Sequence, residues 1–240
     1  MHVSVVIPVR DDAELLTRCL AALREQTRQA DEVIVVDNAS SDASAAIAAS
    51  AGARVVFCPE VGIPAAAAAG YDAATGDLIL RLDADCVPPS TWVEDARAWF
   101  SRSPGCVAAT GGARFIDGPR ALRWTALIYL GAYELATGSA LGHRPLFGSN
   151  MAIRTDAWHA VREHVHRHDA ETHDDLDLSF HLGSIGRIGR MAGQRMGISM
   201  RPLWPGRAFG RRMRRGTRTV RLHWPEDFPP YRWKRLRARC

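Results

Sequence analysis

The sequence predicts an α/β fold built on a mostly parallel, doubly wound sheet, and three observations carry that prediction. Short apolar runs alternate with helix-periodic segments over residues 3–101. Three of those runs end in acidic tips, at Pro8-Val9-Arg10-Asp11, Asp37-Asn38 and Asp83-Ala84-Asp85. With 240 residues, 47% of them hydrophobic and 24% charged, the chain can bury one full core.

Residues 3–7 read as a β-rich run closed by Pro8. Leu15, Leu16, Cys19, Leu20 and Leu23 then recur at helical spacing. Val33-Ile34-Val35-Val36 is a second continuous apolar strand, and Ser40-Ser41-Asp42 caps an Ala-rich helix that runs to about residue 51. Residues 54–57 form a third strand, 65–69 lie in a helix leading to Gly70, 79–82 form a fourth strand and 91–101 a further helix. Beyond that point the alternation is lost. Residues 121–135 have helical periodicity with few charges (Arg123, Glu134) and are expected as a core helix. Met151-Ala152-Ile153 is a short strand, and a helix begins near Asp175 and continues through 179–182. A soft boundary near residue 115 divides one fused domain into halves 1–115 and 116–240.

Composition narrows the function classes. No stretch of 18 uncharged apolar residues exists, so no spanning helix is expected, and the N-terminus lacks the pattern of a secretory signal. The five cysteines (Cys19, Cys58, Cys86, Cys106, Cys240) are scattered and lack C-x-x-C spacing. They suggest neither a disulfide framework nor a structural zinc site, and point to a reducing cytoplasm. Cys86, beside the acid pair, reads as a small buried filler. Charge is unevenly spread: residues 187–240 hold 16 Lys+Arg against 2 Asp+Glu, and residues 1–186 hold 15 against 24. Such a basic tail suits a polyanion or an anionic membrane.

The chemistry concentrates at the strand ends. In an open α/β sheet ligands bind at the carboxyl edge of the strands. Period two places Asp83 and Asp85 on one side of their strand. Paired hard oxygen ligands there suit Mg²⁺ or Mn²⁺ on a diphosphate. Alone, such a pair reads as two solvated acids; two further acid-tipped strand ends change that. No G-x-G-x-x-G follows Ile7 and no G-x-x-x-x-G-K occurs, so phosphate charge falls to a metal. In His173-Asp174-Asp175-Leu176-Asp177, Asp177 reads as a helix-dipole complement worth about 0.3–1 kcal/mol. Asp174 and Asp175 repel each other, and one would have a raised pKa if enclosed, which suits a general base. His164-Val165-His166-Arg167-His168-Asp169 resembles the H-x-H-x-D-H of binuclear metallohydrolases with its last two residues reversed, and is expected as a solvated loop.

Val5-Val6-Ile7-Pro8, Val35 to Asp42, Leu82 to Asp85, Gly148-Ser149-Asn150-Met151-Ala152-Ile153-Arg154 and Asp174 to Ser179 fall in the order seen in family 2 glycosyltransferases, and the chain resembles that family over about residues 3–185. The resemblance implies a GT-A fold, a Rossmann-like mostly parallel sheet flanked by helices with an acceptor-side C-terminal half. It also implies inverting transfer of a sugar from a nucleoside-diphosphate sugar, with Mg²⁺ or Mn²⁺, to a glycan or lipid-linked acceptor of the cell envelope. Carried over by position, Pro8, Val9 and Asp11 line the nucleotide pocket and Asp37 contacts the base. Asp83 faces the ribose or metal and Asp85 binds the metal. Gly148, Ser149 and Asn150 border donor sugar and acceptor, Asp175 is the catalytic base, and Asp174 stands where Glu is usual. His223 is open as a late metal ligand.

There are departures from the family. Ala67 and Ala68 stand where an Arg-Asn pair is common, and Met200-Arg201-Pro202-Leu203-Trp204 is at best a fragment of the processive members' basic motif. A processive polysaccharide synthase is therefore not expected. The alternatives are a nucleotidyltransferase, whose Gly-rich, Lys-containing loop is missing from residues 9–14, and a catalytically dead relative acting as a basic binding module. Arg211-Arg212-Met213-Arg214-Arg215 with Trp204, Trp224 and Trp233 could form a nucleic-acid patch, but no nucleic-acid motif accompanies it. The tail is expected instead to dock a cytoplasmic enzyme on anionic lipid at the inner face of the membrane.

Overall fold

A computed structural model describes residues 1–201 and 207–238, so Pro202, Leu203, Trp204 and Cys240 of the sequence reading lie outside the described residues. The first half alternates as expected: β1 (Val3–Val9), α1 (Ala13–Arg24), β2 (Glu32–Asp37), α2 (Ser44–Ser50), β3 (Arg54–Phe57), α3 (Ile63–Ala73), β4 (Leu78–Arg81) and α4 (Trp92–Arg102). The second half contributes β5 (Cys106–Phe115), a 3₁₀ turn at Arg120–Leu122, α5 (Thr125–Leu141), β6 (Met151–Arg154), α6 (Thr155–Val161), α7 (Asp174–Ile185), β7 (Arg187–Ile198), α8 (Arg207–Leu222) and α9 (Pro229–Arg237). All seven strands form one sheet in the order β3-β2-β1-β4-β6-β5-β7. Neighbours are parallel except where β6 pairs antiparallel with β4 and β5. The sheet continues across residue 115, with strands of both halves side by side.

Parallel strands covered by helices on both faces must be apolar throughout, which is why β1, β2 and β4 read clearly in the sequence. Val3, Val5, Ile7, Ile34, Val35, Leu78, Ile79 and Leu80 are all buried. Helix α3 lies so close to the sheet that a Cβ on Gly70 would collide with Val6 and Val36, so only glycine fits there.

β5 and β7 carry no such signal, and the sequence reading placed no strand at either. Their segments, CVAATGGARF and RIGRMAGQRMGI, are rich in Gly, Ala and Arg, all weak strand formers. They pair in parallel, interrupted by register shifts between Cys106 and Ala108 and between Gly111 and Gly112.

The expected core helix at 121–135 is a surface helix in the structure. Within α5 only Ala126, Ala140 and Leu141 are buried, whereas Leu127, Ile128 and Leu135 are 58%, 58% and 77% exposed. Apolar residues encircle the helix, so periodicity could not identify a buried face. The basic C-terminal region is likewise structured rather than a free tail. Arg215 and Arg214 of α8 pair with Glu171, and Arg218 pairs with Asp169 at 2.8 Å.

Helix α9 is pinned by Arg232, which is 1% exposed. Its guanidinium donates to the carbonyls of Leu141 (2.7 Å) and Phe180 (2.9 Å) and to Nε2 of His143 (3.0 Å), and pairs with Asp227 at 3.0 Å. His143 Nδ1 donates in turn to the carbonyl of Arg144 at 2.9 Å. Burial, with Arg232 beside it, lowers the His143 pKa from 6.5 to about 4. The unfolded chain therefore holds a proton that the folded chain lacks between about pH 4 and 6.5, so stability falls as the medium is acidified through that window. The expected loss is about 3 kcal/mol. His143→Gln should flatten that part of the urea-midpoint profile, and an unchanged acid slope in the variant would refute the assignment.

Candidate functional site

The site is built where β4 ends. Arg81 is the sole cation of an otherwise apolar strand and is 2% exposed. It pairs with Asp83 at 2.9 Å and with Asp174 at 2.8 Å. Burial opposes its charge, but the two carboxylates win and raise its pKa well above the ordinary value. The other oxygen of Asp83 accepts the Ser149 hydroxyl at 2.6 Å. Any Cβ on Gly148 would meet the Arg81 guanidinium, so glycine is required for this approach. The Gly148 N–H donates to Asp175 Oδ2 at 2.8 Å, and His173 Nδ1 bonds Asp175 Oδ1 at 2.6 Å.

Asp83 and Asp85 follow the strand rather than lie in it. β4 stops at Arg81, and a tight turn, closed by the Cys86 N–H on the Asp83 carbonyl at 3.0 Å, presents both acids to one cavity. The turn, not period-two alternation, brings them together. Burial and the neighbouring Asp83 push the Asp85 carboxyl above its usual range, and Arg201 Nη2 answers it at 2.7 Å. Cys86 is buried with its thiol pKa raised well above the ordinary value, which fits the filler role.

The cavity holds about 260 Å³. Arg81, Asp83, Asp85 and Ser149 line it from the strand edge, His173, Asp174 and Asp175 from α7 and its approach, and Tyr129, Arg212 and Arg215 from α5 and α8. The two adjacent acids of α7 are driven apart electrostatically. Burial holds the Asp174 carboxyl above its usual range. For Asp175 burial is outweighed by His173, Arg81 and the Gly148 N–H, which hold it below that range.

The other expected site residues are distributed unevenly. Pro8, Val9, Asp11 and Asp37 gather at the tips of β1 and β2, where Val9 is in register with Asp37. None of them lines the cavity. The Val9 side chain is in the core and its carbonyl accepts the Asn38 N–H, so only its backbone reaches the edge. Asp37 accepts the Ser40 N–H at 3.2 Å, while Asp11, at φ 52°, accepts the Ser41 N–H and hydroxyl and ties the two loops together. Asn150 was expected beside the donor sugar but is 0% exposed. Its amide is occupied by Trp92 Nε1 and the Gly112 carbonyl, both at 2.9 Å, so it braces β5 against α4.

Ala67 and Ala68 are buried on α3, and the cations on the cavity wall come from elsewhere, as Arg81, Arg212 and Arg215. Of the histidine loop only His164 and His168 are solvated; His166 turns inward onto Asp177. Asp177 is therefore no surface cap: it is 3% exposed. His223 also meets Asp177, not the acid pair. The sequence reading missed Arg81, His173, Arg201 and the two cavity arginines of α8. Arg81 left a signal, as a lone cation closing an apolar strand just before paired acids; Arg201, Arg212, Arg215 and His173 stood in segments the sequence singled out, but nothing local aimed them at the acid pair.

Comparison with known proteins agrees with this architecture. Residues 4–167 match the model of Glycosyl transferase family 2. A 98-residue stretch is 39% identical to the undecaprenyl-phosphate 4-deoxy-4-formamido-L-arabinose transferase of Photorhabdus laumondii, covering 36% of this chain and 30% of that protein. The chain spans between 20% and 33% of the length of the first curated relatives it matches. The mannosyltransferase PcManGT from Pyrobaculum calidifontis, solved with GDP-Man and Mn²⁺, superposes with a TM-score of 0.69 at 20% identity, covering 99% of this chain and 68% of that one. Residues 1–349 of S. aureus TarS, solved with UDP-GlcNAc, give 0.67 at 17% identity over 88% of this chain and 61% of that one. These likenesses show the fold, a GT-A sheet with its flanking helices.

Proposed function

The chain belongs to glycosyl transferase family 2, and on that premise we propose that it moves a sugar from a nucleoside-diphosphate sugar to an acceptor hydroxyl with inversion at the anomeric carbon. The observation that carries this reading is the single cavity that Asp83, Asp85 and Asp175 line together. Half 1–115 would bind the donor, its base and ribose at the β1 and β2 tips near Asp37 and Asp11. Half 116–240 would receive the acceptor.

Asp175 acts as the base. It takes the proton of the acceptor hydroxyl as that oxygen bonds to the anomeric carbon. The bond to the diphosphate oxygen breaks with its electron pair leaving on the diphosphate. His173 and the Gly148 N–H hold the carboxylate in place, and Arg81 keeps Asp83 and Asp174 ordered. The donor set at Asp83 and Asp85 fits Mg²⁺ or Mn²⁺: two hard carboxylate oxygens lie within 4.8 Å of one another on the cavity lining. A cation held there would neutralise charge on the departing diphosphate. Arg201, paired with Asp85 at 2.7 Å and 46% exposed, would offer its guanidinium to a phosphate bound beside the acid pair.

The acceptor we propose is lipid-linked or part of the cell envelope, a reading supported by the undecaprenyl-phosphate transferase among the relatives. No helix among the described residues is long and apolar enough to cross a membrane. Peripheral contact through exposed Trp124 just before α5, Leu127 and Ile128 of α5, and Arg211 and Arg214 of α8 would bring the cavity to such an acceptor. Co-sedimentation should favour anionic over neutral vesicles and weaken in Leu127→Ser/Ile128→Ser; equal binding to both vesicle types would refute the contact.

The decisive experiment is thermal stabilisation by UDP, GDP and dTDP, each with Mn²⁺ and with EDTA. A metal-dependent rise with one nucleotide is expected, and no rise with any would overturn the proposal. Asp85→Ala should abolish the Mn²⁺-dependent part of the rise; retained Mn²⁺ dependence would remove Asp85 from that role.

A further inference from the structure

Behind the catalytic helix lies a second cluster that glycosyl transfer does not use. Asp177 Oδ1 is approached by three imidazole nitrogens, His166 Nδ1 at 2.7 Å, His223 Nε2 at 3.0 Å and His181 Nε2 at 3.7 Å. They come from the loop before α7, from α7 itself and from the segment after α8. The four ligand atoms lie within 4.8 Å of one another. The rings stand at centroid separations of 5.1, 5.4 and 6.1 Å. Three imidazoles around one tetrahedral ion, with Zn–N of about 2.0–2.1 Å, would stand about 5 Å apart.

Two further observations separate this cluster from a hydrogen-bonded knot. His181 Nε2 is buried without a hydrogen-bond partner, an arrangement that burial penalises and a bound cation would relieve. The surroundings also hold the ligands as an outer shell would: the His166 N–H fixes the other oxygen of Asp177 at 2.9 Å, and Phe180 stacks on His223 at 4.0 Å.

We propose that His166, Asp177, His181 and His223 form a structural Zn²⁺ site that clips the histidine loop and the C-terminal helices to α7. Three imidazole nitrogens and one carboxylate oxygen suit Zn²⁺ and disfavour Mg²⁺. The oxygen pair at Asp83 and Asp85 has the opposite preference, so the two sites are chemically distinct.

The test is metal binding by the full chain, purified without a histidine tag and stripped with EDTA. Titration with Co²⁺ should give one equivalent with the visible d–d bands of four-coordinate cobalt, displaced by Zn²⁺. Zn²⁺ but not Mg²⁺ should raise the melting temperature without nucleotide. His166→Ala removes a half-buried ligand, leaving the fold able to form. It should weaken Co²⁺ binding by more than the roughly 10–100-fold that loss of an outer-sphere partner brings. Asp85→Asn should leave Co²⁺ binding unchanged. No saturable Co²⁺ binding, a six-coordinate cobalt spectrum, or binding lost in Asp85→Asn and kept in His166→Ala would each overturn the proposal.

Discussion

Replacing Asp175 by Asn is expected to lower turnover by about 10²–10⁴-fold, the usual worth of a positioned general base, while nucleotide affinity stays within about twofold. The side chain lines the cavity from α7, with its two oxygens held by the Gly148 N–H at 2.8 Å and by His173 at 2.6 Å. Asn keeps the shape and one acceptor for Gly148 but cannot take a proton. His173→Gln should cost less, since it leaves the carboxylate present but less firmly held. A larger loss in His173→Gln than in Asp175→Asn would move the base to His173, and loss of nucleotide binding in Asp175→Asn would refute its assignment as base.

The same pair sets a pH dependence. Burial tends to lower the His173 pKa, but Asp175 and Asp174 raise it above 6.5 overall. A raised imidazole contributes stability that is fully present below 6.5 and is lost as pH rises through the folded value. Asp175, held low, contributes stability above its unfolded value that is lost as pH falls through its depressed folded value. In Asp175→Asn the loss on the alkaline side should shrink. Melting temperatures across pH 6–9 (roughly the range in which a raised His titrates) check this, and an unchanged profile would show that Asp175 is not what raises His173.

Replacing Arg81 by Leu is expected to be the most damaging change for stability, at about 3–5 kcal/mol, because it leaves Asp174 and Asp83 without their buried counter-charge. Arg81 is 2% exposed and touches both carboxylates. A lysine could meet only one of them, so Arg81→Lys should recover part of the loss and not all of it. Urea unfolding measures both variants. Arg81→Leu/Asp174→Leu removes two opposite charges and should be more stable than Arg81→Leu alone; if it is less stable, the Arg81–Asp174 pair is not the source of the cost.

Much of the fold was legible because a parallel strand packed on both faces has little choice of residue. β1, β2 and β4 are apolar through their interiors, and acids at or just beyond their ends mark the sheet edge. β5 and β7 were not legible because their glycines and arginines answer tertiary neighbours rather than strand propensity. A Cβ on Gly111, for example, would collide with the Asn150 side chain, and Arg187 Nε reaches the Cys106 sulfur at 3.3 Å. Asn150 shows the limit from the other side: it stands beside Ser149 in sequence, yet the turn before β6, closed by the Asn150 N–H on the Phe147 carbonyl at 2.8 Å, sends it into the core while Ser149 faces the cavity.

The sequence by itself determined the class of sheet, the edge at which ligands would gather and the acids that stand there, since hydrophobic periodicity and local turn chemistry act over a few residues. Only the tertiary structure decided which acid meets which cation. Arg81 joins a β4 strand end to the start of α7, and His166 and His223, from separate segments, converge on Asp177 of α7. Such pairings depend on how distant segments are brought together. The free energy of a buried charge depends on the partner the fold supplies, and no local pattern in the chain records that partner.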